Sequence, residues 1–350
     1  MSRDEVATET SVLGENIEPG SITPGVGRKS QSLFRRIVHW VLAISLAAGL
    51  LWWSVRGTDW RHVGTILADA RWTLIALGCA MGSVSYFMRA LRWRVLLSAR
   101  ERLSAVTVFW ATMAGYLCNN LLPGRAGEFV RSVMISRRSS LSKTYVLTTT
   151  LTERLTDAIV LVIVSRLLLI TMQQRPAWMV RASTVAFALG LLGASLVVGL
   201  RFFHGIIRRV LTALPLPARF SARLAGWLEQ IVLGFSALDH FGRAASFSAL
   251  TLLIWMMDAV SSMVTAHALG LTMSFPVAIL LITALGLGSA LPSTPGAVGI
   301  FQAVAITVLV PFGFKREEAL TYILVAQAAS YLVVALWGAL GMWRISAVRS

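Results

Sequence analysis

The sequence predicts an all-α, polytopic integral membrane protein. Of its 350 residues, 56% are hydrophobic and only 14% are charged, whereas soluble domains carry about 25% charged residues. The mean hydropathy is +0.71. Several apolar runs approach about 20 residues, the length that a helix needs to cross the hydrocarbon core. We predict about six full spans plus two re-entrant helical pairs, or eight spans in all.

The charge balance is strongly basic. The chain has 32 Lys and Arg against 16 Asp and Glu, for a net charge of +16. Such an excess is typical of nucleic-acid binders, but also of cytoplasmic loops that lie beside anionic lipid. We therefore predict membrane lipids with anionic headgroups, and no nucleic acid, as partners. Cys79 and Cys118 both lie in apolar runs, which suggests neither a disulfide framework nor a metal site.

Polar residues are confined to the two ends and one connection. Residues 1–32 are acidic and then rich in Pro and Gly, which predicts a disordered cytoplasmic tail. Residues 33–345 are predicted to form the membrane domain, and 346–350 a second cytoplasmic tail. The first apolar run begins near Leu33 and is too long for a signal peptide, so we expect no cleavable leader.

The first two spans are predicted at about 33–55 and 72–97. Basic residues at 28, 29, 35 and 36 precede span 1 and place the N-terminus in the cytoplasm. Span 2 ends among further basic residues, which we interpret mainly as a signal for the inner side of the membrane. These are Arg89, Arg92, Arg94, Arg100 and Arg102.

A broken, charged stretch, Asn119–Glu128, follows the apolar run Ser104–Leu122. If that run crossed the membrane, the basic residues after it would all lie outside, against the charge rule. The sequence therefore predicts a re-entrant hairpin that enters from the cytoplasm. It turns at Leu122-Pro123-Gly124 and returns along residues 127–138.

Span 3 is predicted at about 145–172 and carries acids and a base in its first half. Glu153 and Asp157 share one helical face, and Arg154 has the spacing to pair with Asp157. Arg166 lies nearer the outer end, where its long side chain can reach the interface. Span 4, at about 178–200, returns to the cytoplasm. Residues 201–243 then form a basic, Pro-broken connection that we expect to be amphipathic and to lie on the inner leaflet.

The second half repeats this order of parts. Span 5, at about 245–269, carries Asp258 at mid-span, with a partner that the sequence does not identify. Two short apolar arms, 275–291 and 297–311, flank a second break at Leu291–Gly299. They are either a re-entrant pair or two full crossings. Span 6, at about 319–343, ends in the cytoplasm and places the C-terminus there.

Both halves therefore read span, span, helical pair, span, with opposite starting sides. This order indicates an inverted-topology repeat, in which broken helices mark a binding site near the membrane midplane. Backbone that leaves a helix at this depth must be covered by protein or line water. We expect the two breaks to face one cavity.

The motifs Asn119–Glu128, Glu153–Asp157 and Leu291–Gln302, in this order, resemble a known membrane family. It is the flippase-like transmembrane domain of bacterial lysylphosphatidylglycerol synthases and its stand-alone relatives. The likeness covers about residues 33–343. It implies an integral inner-membrane protein that binds or moves lipid, and the lipids proposed in the family include aminoacylated phosphatidylglycerol, hopanoids and polyprenyl-linked sugars. The chain ends just after its last span, so we do not expect the lysyl-transfer activity of the synthases. Gln302 stands where relatives often have Glu or Gln, and it removes a possible charge from the second break.

We expect these motifs to form a cavity for a lipid headgroup. Arg125 offers a planar fork for phosphate, and helix N-termini beside the breaks add partial positive charge. Alternatively, Arg125 and Glu128 only pin the hairpin as a buried ion pair. The predicted cavity residues are Asn119, Asn120, Pro123, Arg125, Glu128, Arg131, Glu153, Arg154, Asp157, Asp258, Pro292, Pro295, Gly296 and Gln302.

The function hypothesis is a lipid flippase that moves an anionic or polyprenyl-type lipid across the inner membrane. No catalytic motif is present, so we expect no enzyme activity, no cofactor and no metal. One alternative is a membrane-embedded transferase in which Glu153 and Asp157 act as base or metal ligands. Another is a non-transporting accessory subunit of an envelope-lipid pathway. As further partners we consider a second copy of the chain, in a homo-oligomer, or a protein of envelope-lipid biosynthesis.

Overall fold

The computed structural model describes residues 44–122, 126–172, 175–213, 226, 232–289 and 295–347. Within these ranges the regular structure is helical. In chain order the α-helices are α1 (Ile44–Val55), α2 (Trp60–Ala68), α3 (Trp72–Leu97), α4 (Ala105–Leu121), α5 (Gly127–Ser136), α6 (Lys143–Thr171), α7 (Ala177–Ala213), α8 (Phe241–Ala268), α9 (Phe275–Gly288), α10 (Ile300–Leu309) and α11 (Arg316–Ala347).

Several predictions fall on residues outside the described ranges. They concern the N-terminal tail and the start of span 1, the turn from Pro123 to Arg125, residues 214–225 and 227–231 of the amphipathic connection, Pro292 and the last three residues.

The prediction of an all-α, polytopic membrane protein is confirmed. In the part of the chain that the structure describes, four helices are long and apolar enough to cross a membrane, namely α3, α8, residues Ala177–Ser195 of α7 and residues Arg316–Arg344 of α11. Helix α6 has 29 residues, enough to cross, but it carries charges in its first half. Helix α1 is described only from Ile44 onward.

Helix bounds agree with the sequence analysis in most places and depart from it in two. Helix α7 continues to Ala213 and has 37 residues, so at about 1.5 Å per residue it extends well beyond a bilayer core of about 30 Å. The short helix α2 was not predicted. It begins after Asp59, whose carboxylate accepts hydrogen bonds from the backbone N–H groups of Arg61 and His62, the usual role of an N-cap acid.

Helices α4 and α5 form the predicted hairpin, and they touch at two glycines. A Cβ placed on Gly127 would lie 1.8 Å from the carbonyl oxygen of Gly115, so only glycine permits this approach. Beside this contact, the Gly127 N–H donates to Asn119 Oδ1 at 2.8 Å. Asn119 thereby satisfies the first backbone donor of the returning helix.

The second break has a left-handed backbone. Gly296 and Gly299 have φ values of 72° and 87°, which favour glycine. A Cβ on Gly299 would also lie 2.2 Å from the carbonyl oxygen of Ala47, because α1 crosses directly over this turn. The Gly299 N–H donates to Gln302 Oε1 at 2.7 Å, which caps the start of α10. Helices α9 and α10 pack against one another on either side of the break.

The two halves interlock through reciprocal contacts. The first arm of each helical pair packs on the last span of the other half, α4 on α11 and α9 on α6. The second spans of the two halves, α3 and α8, pack together along their length. This reciprocity is what two related repeats would produce, and the inverted repeat itself stays a prediction.

A polar layer crosses the bundle between two apolar clusters. One cluster contains Leu96 of α3, Val146 of α6 and Phe247 of α8, and the other contains residues from the opposite ends of the same helices. The polar side chains lie between them. Two apolar layers therefore enclose these polar side chains.

Candidate functional site

The most buried charge in the polar layer is Arg92 of α3, which holds two carboxylates of α6. Its guanidinium bonds Asp157 through Nη1 at 2.5 Å and Nη2 at 2.8 Å, and Glu153 through Nη2 at 2.9 Å. The side chains of Arg92 and Glu153 are 0% and 1% exposed. Thr251 of α8 accepts a further bond at 3.2 Å. Three long helices are thereby joined at one point.

Arg131 extends this contact to the hairpin. Its Nη2 lies 3.1 Å from Glu153 Oε2 and 2.7 Å from Glu128 Oε2. Its guanidinium also lies over the ring of Trp93, 4.6 Å from the ring centre, a favourable cation–π arrangement. The returning arm α5 is thus held to α6 by an ion pair and to α3 by the cation–π contact, in addition to its glycine contact with α4.

Arg154 completes the set through its Nε, which donates to Glu128 Oε1 at 3.1 Å. We call these six residues the arginine–carboxylate network: Arg92, Arg131, Arg154, Glu128, Glu153 and Asp157. Three guanidinium groups face three carboxylates, so the formal charge of the network is zero. Such balance is required because an uncompensated charge inside the bundle is costly.

A second ion pair lies beside the network. Arg89, one turn before Arg92 on α3, pairs with Asp258 of α8. Ser85 Oγ donates to the other oxygen of Asp258 at 2.5 Å. The Arg89 guanidinium lies 4.9 Å from the centre of the Trp255 ring. The mid-span acid therefore has a partner, on a helix far away in sequence.

Between the two halves lies a cavity of about 420 Å³, which we call the central cavity. Its walls come from α3, α4, α6 and α8–α11. Apolar side chains such as Ile282, Leu285 and Phe301 cover the side formed by α9 and α10. The polar side includes Ser85, Arg89, Tyr116, Asn119, Asn120, Arg154 and Asp258.

The predicted site residues separate into groups. Asn119, Asn120, Arg154 and Asp258 line the central cavity. A second group lies behind it in the arginine–carboxylate network and consists of Glu128, Arg131, Glu153 and Asp157. The predicted pairing of Arg154 with Asp157 is replaced by pairs with Glu128 and Arg92. Pro123, Arg125 and Pro292 lie outside the described residues.

The second break is held by neutral groups. Gln302 Nε2 donates to Gln327 Oε1 at 2.7 Å, and Gln327 Nε2 donates to the Gly296 carbonyl at 2.8 Å. Tyr331 also donates to that carbonyl. Pro295 and Gly296 form a short 3₁₀ turn that contacts α4. This break therefore reaches the central cavity through its flanking residues Ser289 and Phe301.

Sequence analysis missed the site roles of Arg89 and Arg92, which it interpreted as topology signals. Their spacing carried a usable signal. Arg89 follows Ser85 by four residues and Arg92 follows Arg89 by three, so the three side chains lie on one face of a helix. Basic residues that mark the inner side of a membrane need no such alignment.

Comparison with known proteins agrees with this architecture. The model of the family described as "Lysylphosphatidylglycerol synthase TM region" matches residues 40–338. The chain belongs to this family. All the predicted site residues, and the whole polar layer, fall inside the matched region, so the resemblance noted from the motifs is confirmed.

Relatives of this family member occur among archaeal proteins. The chain is 24% identical to UPF0104 membrane protein PH1989 of Pyrococcus horikoshii, over 85% of this chain and 93% of the relative. A UPF0104 membrane protein of Methanothermobacter thermautotrophicus is also 24% identical, over 87% and 92%. Glycosyltransferase AglD of Haloferax volcanii is 25% identical, over 71% of this chain and 45% of AglD. No solved structure matches the chain significantly.

Proposed function

We propose that this protein is a lipid flippase that moves an anionic or polyprenyl-type lipid across the bacterial inner membrane. The central cavity is the observation that carries the proposal. Its volume of about 420 Å³ lies within the range of about 300–1,000 Å³ of small-ligand sites. It accommodates a headgroup and not a whole lipid, so the acyl chains would remain in the bilayer. Both termini would lie in the cytoplasm.

Arg154 is the best placed contact for a phosphate. Its side chain is 32% exposed, and its guanidinium carbon lies 5.7 Å from the centre of the Tyr116 ring. Among the described residues only Glu128 bonds it, through Nε. The two terminal nitrogens are therefore available for a planar, two-point contact with phosphate oxygens.

Arg89 would take part by exchange of partners. In the structure it is neutralised by Asp258, and both side chains line the central cavity. An entering phosphate would compete with Asp258 for the guanidinium. On the opposite wall, Leu285 and Phe301 would contact the apolar part of the lipid next to its headgroup.

The test is transbilayer movement of a labelled anionic phospholipid in vesicles that contain the purified protein. We expect movement above that of empty vesicles, and Arg154→Gln should reduce the added rate by at least about tenfold, as expected for a lost charged contact. Arg61→Gln, on the exposed face of α2, is the matched control. No movement with anionic or polyprenyl lipids, or equal rates in the two variants, would refute the proposal.

A second function is group transfer to a lipid, which the name of the relative Glycosyltransferase AglD favours. Less than half of AglD matches this chain, however. The acid pair suggested for catalysis is also engaged, because all four carboxylate oxygens of Glu153 and Asp157 accept from Arg92 or Arg131. We therefore propose transport without catalysis. Lipid analysis of cells with and without the gene separates the two, since a transferase predicts a missing lipid species and a flippase an altered leaflet distribution.

A non-transporting accessory role remains the third proposal. It predicts that the protein purifies with a stoichiometric partner from envelope-lipid biosynthesis and shows no lipid movement on its own. A homo-oligomer would instead purify as a multiple of a single chain.

A further inference from the structure

A second pocket lies where α6 ends and α7 begins, and it contains three arginines. It has a volume of about 500 Å³. Its basic residues are Arg166, Arg175 and Arg181, which we call the α6–α7 arginine cluster. The remaining wall is apolar and consists of Leu169, Ile170, Ala177 and Val180.

This cluster differs from the arginines of the polar layer because it has no acid partners among the described residues. Each arginine of the polar layer has a carboxylate partner, as described above. No Asp or Glu occurs between residues 158 and 228, and none of the described acids pairs with the cluster. Among the described residues, Arg175 bonds only the carbonyl oxygens of Leu169 and Ile170, at 3.3 and 3.2 Å.

The arginines of the cluster retain donors for a ligand. Arg166 makes two contacts of 3.5 Å, with the Val180 carbonyl and Ser183 Oγ, at the outer limit of a hydrogen bond. Arg181 is exposed and bonds none of the described residues. Three guanidinium groups therefore face one pocket, and the described residues leave most of their N–H donors unused.

The position of the cluster adds a second argument. Helix α7 begins at Ala177, so its free backbone N–H groups and its positive dipole end lie beside the pocket. Trp178 is 44% exposed there, as is typical of side chains at the membrane–water interface. Under the predicted topology this end faces outward, where basic residues are normally disfavoured. An anionic partner at the interface explains three uncompensated arginines in that place.

We propose that the α6–α7 arginine cluster binds the phosphate of an anionic phospholipid in the outer leaflet, with the acyl chains against Leu169 and Ile170. The site is separate from the central cavity, because Arg166 lies nine residues beyond Asp157 on α6, or about 14 Å at 1.5 Å per residue. It binds lipid whether or not the central cavity transports it.

The test measures binding of short-chain lipids to the full chain in a neutral detergent by calorimetry. All proteins carry Arg154→Gln, so that the central cavity contributes as little as possible. The probes are dihexanoyl phosphatidylglycerol, dihexanoyl phosphatidylcholine and glycerol 1-phosphate. The cluster variant is R166Q/R175Q/R181Q. The control R56Q/R61Q/R71Q removes three exposed arginines from a stretch that contains Asp59 and Asp69.

We expect the anionic lipid to bind the control normally and the cluster variant at least about tenfold more weakly, since each basic residue contributes to anionic-lipid affinity. Arg181→Glu alone, at an exposed position, should weaken binding several-fold and keeps the result interpretable if the triple variant does not fold. Equal binding to the cluster variant overturns the proposal. Equal binding of phosphatidylcholine, or of glycerol 1-phosphate, also overturns it, because the site would then lack selectivity for charge or for lipid. The cluster variant with Arg154 intact should retain the transbilayer rate measured for the central cavity, so the two proposals fail separately.

Discussion

The contact between Gly115 and Gly127 makes a quantitative prediction about the hairpin that carries the site. In Gly127→Ala the new Cβ would meet the Gly115 carbonyl oxygen at 1.8 Å and Asn119 Oδ1 at 2.6 Å. The first of these atoms belongs to the backbone and cannot rotate away. Helices α4 and α5 must therefore separate, and the hydrogen bond from Gly127 to Asn119 must lengthen or break.

The expected cost follows from these two losses. Overpacking a buried contact costs about 1–3 kcal/mol, with the upper end appropriate for a backbone obstacle. A lost hydrogen bond adds about 0.5–1.5 kcal/mol. The better helix propensity of alanine offsets at most about 1 kcal/mol of this loss in stability. We expect a net destabilisation of about 3 kcal/mol, which corresponds to a fall in Tm of roughly 4 °C for a chain of 350 residues.

The assay is thermal denaturation of the purified protein in detergent, followed by loss of the monodisperse peak in size-exclusion chromatography. Gly64→Ala in α2 is the matched control, because no atom lies within 4 Å of its added Cβ. It should leave Tm unchanged or raise it slightly, since alanine is the better helix former. If Gly127→Ala melts at or above the wild-type temperature, the close contact between Gly115 of α4 and Gly127 of α5 is refuted.

Three further predictions concern charge and backbone. Arg92→Ala removes the arginine partner of Asp157 and one of the two arginines that bond Glu153, so it should destabilise the protein by about 3–5 kcal/mol in the same melting assay. Arg102→Ala, at an exposed site, should change the stability little. Gly299→Ala should lower Tm more than Gly313→Ala. Both glycines have positive φ, but only a Cβ at Gly299 would meet a backbone atom, at 2.2 Å. Equal losses in Tm would exclude crowding as the cause. Asp258→Asn removes the carboxylate partner of Arg89 in the central cavity and should tighten binding of a short-chain anionic lipid about tenfold. Unchanged affinity in a titration would contradict the exchange of partners.

Much of the fold follows from hydropathy and charge. The apolar run at 72–97 was predicted with the bounds that α3 shows, because a membrane helix is defined by a long, local and continuous pattern. The hairpin of α4 and α5 came from a conflict between an apolar run and the basic residues after it. In contrast, α2 has nine residues and depends on one capping acid, Asp59, a signal too local to stand out in a search for spans.

The sequence analysis identified the buried acids of the site but not the residues with which they pair. Glu153 and Asp157 were recognised as costly charges, yet their partner Arg92 lies more than 60 residues away on another helix. Spacing along one helix favoured the local pair of Arg154 and Asp157, and tertiary contacts replaced it. Helical periodicity states which residues share a face, but it does not state which helix that face meets.

The charge balance of the polar layer bears on how a flippase of this kind would work. A cavity with free arginines would hold a phosphate tightly and release it slowly, and conduction through any site requires binding weak enough for exit. In the central cavity each guanidinium already has a carboxylate, Arg89 with Asp258 and Arg154 with Glu128. A headgroup would gain only the difference between its own contact and the internal pair, so entry and exit would both be possible near equilibrium. The described residues supply no such internal competitor for the α6–α7 arginine cluster. The cluster is therefore suited to retain a lipid at the surface, whereas the central cavity is suited to let one pass.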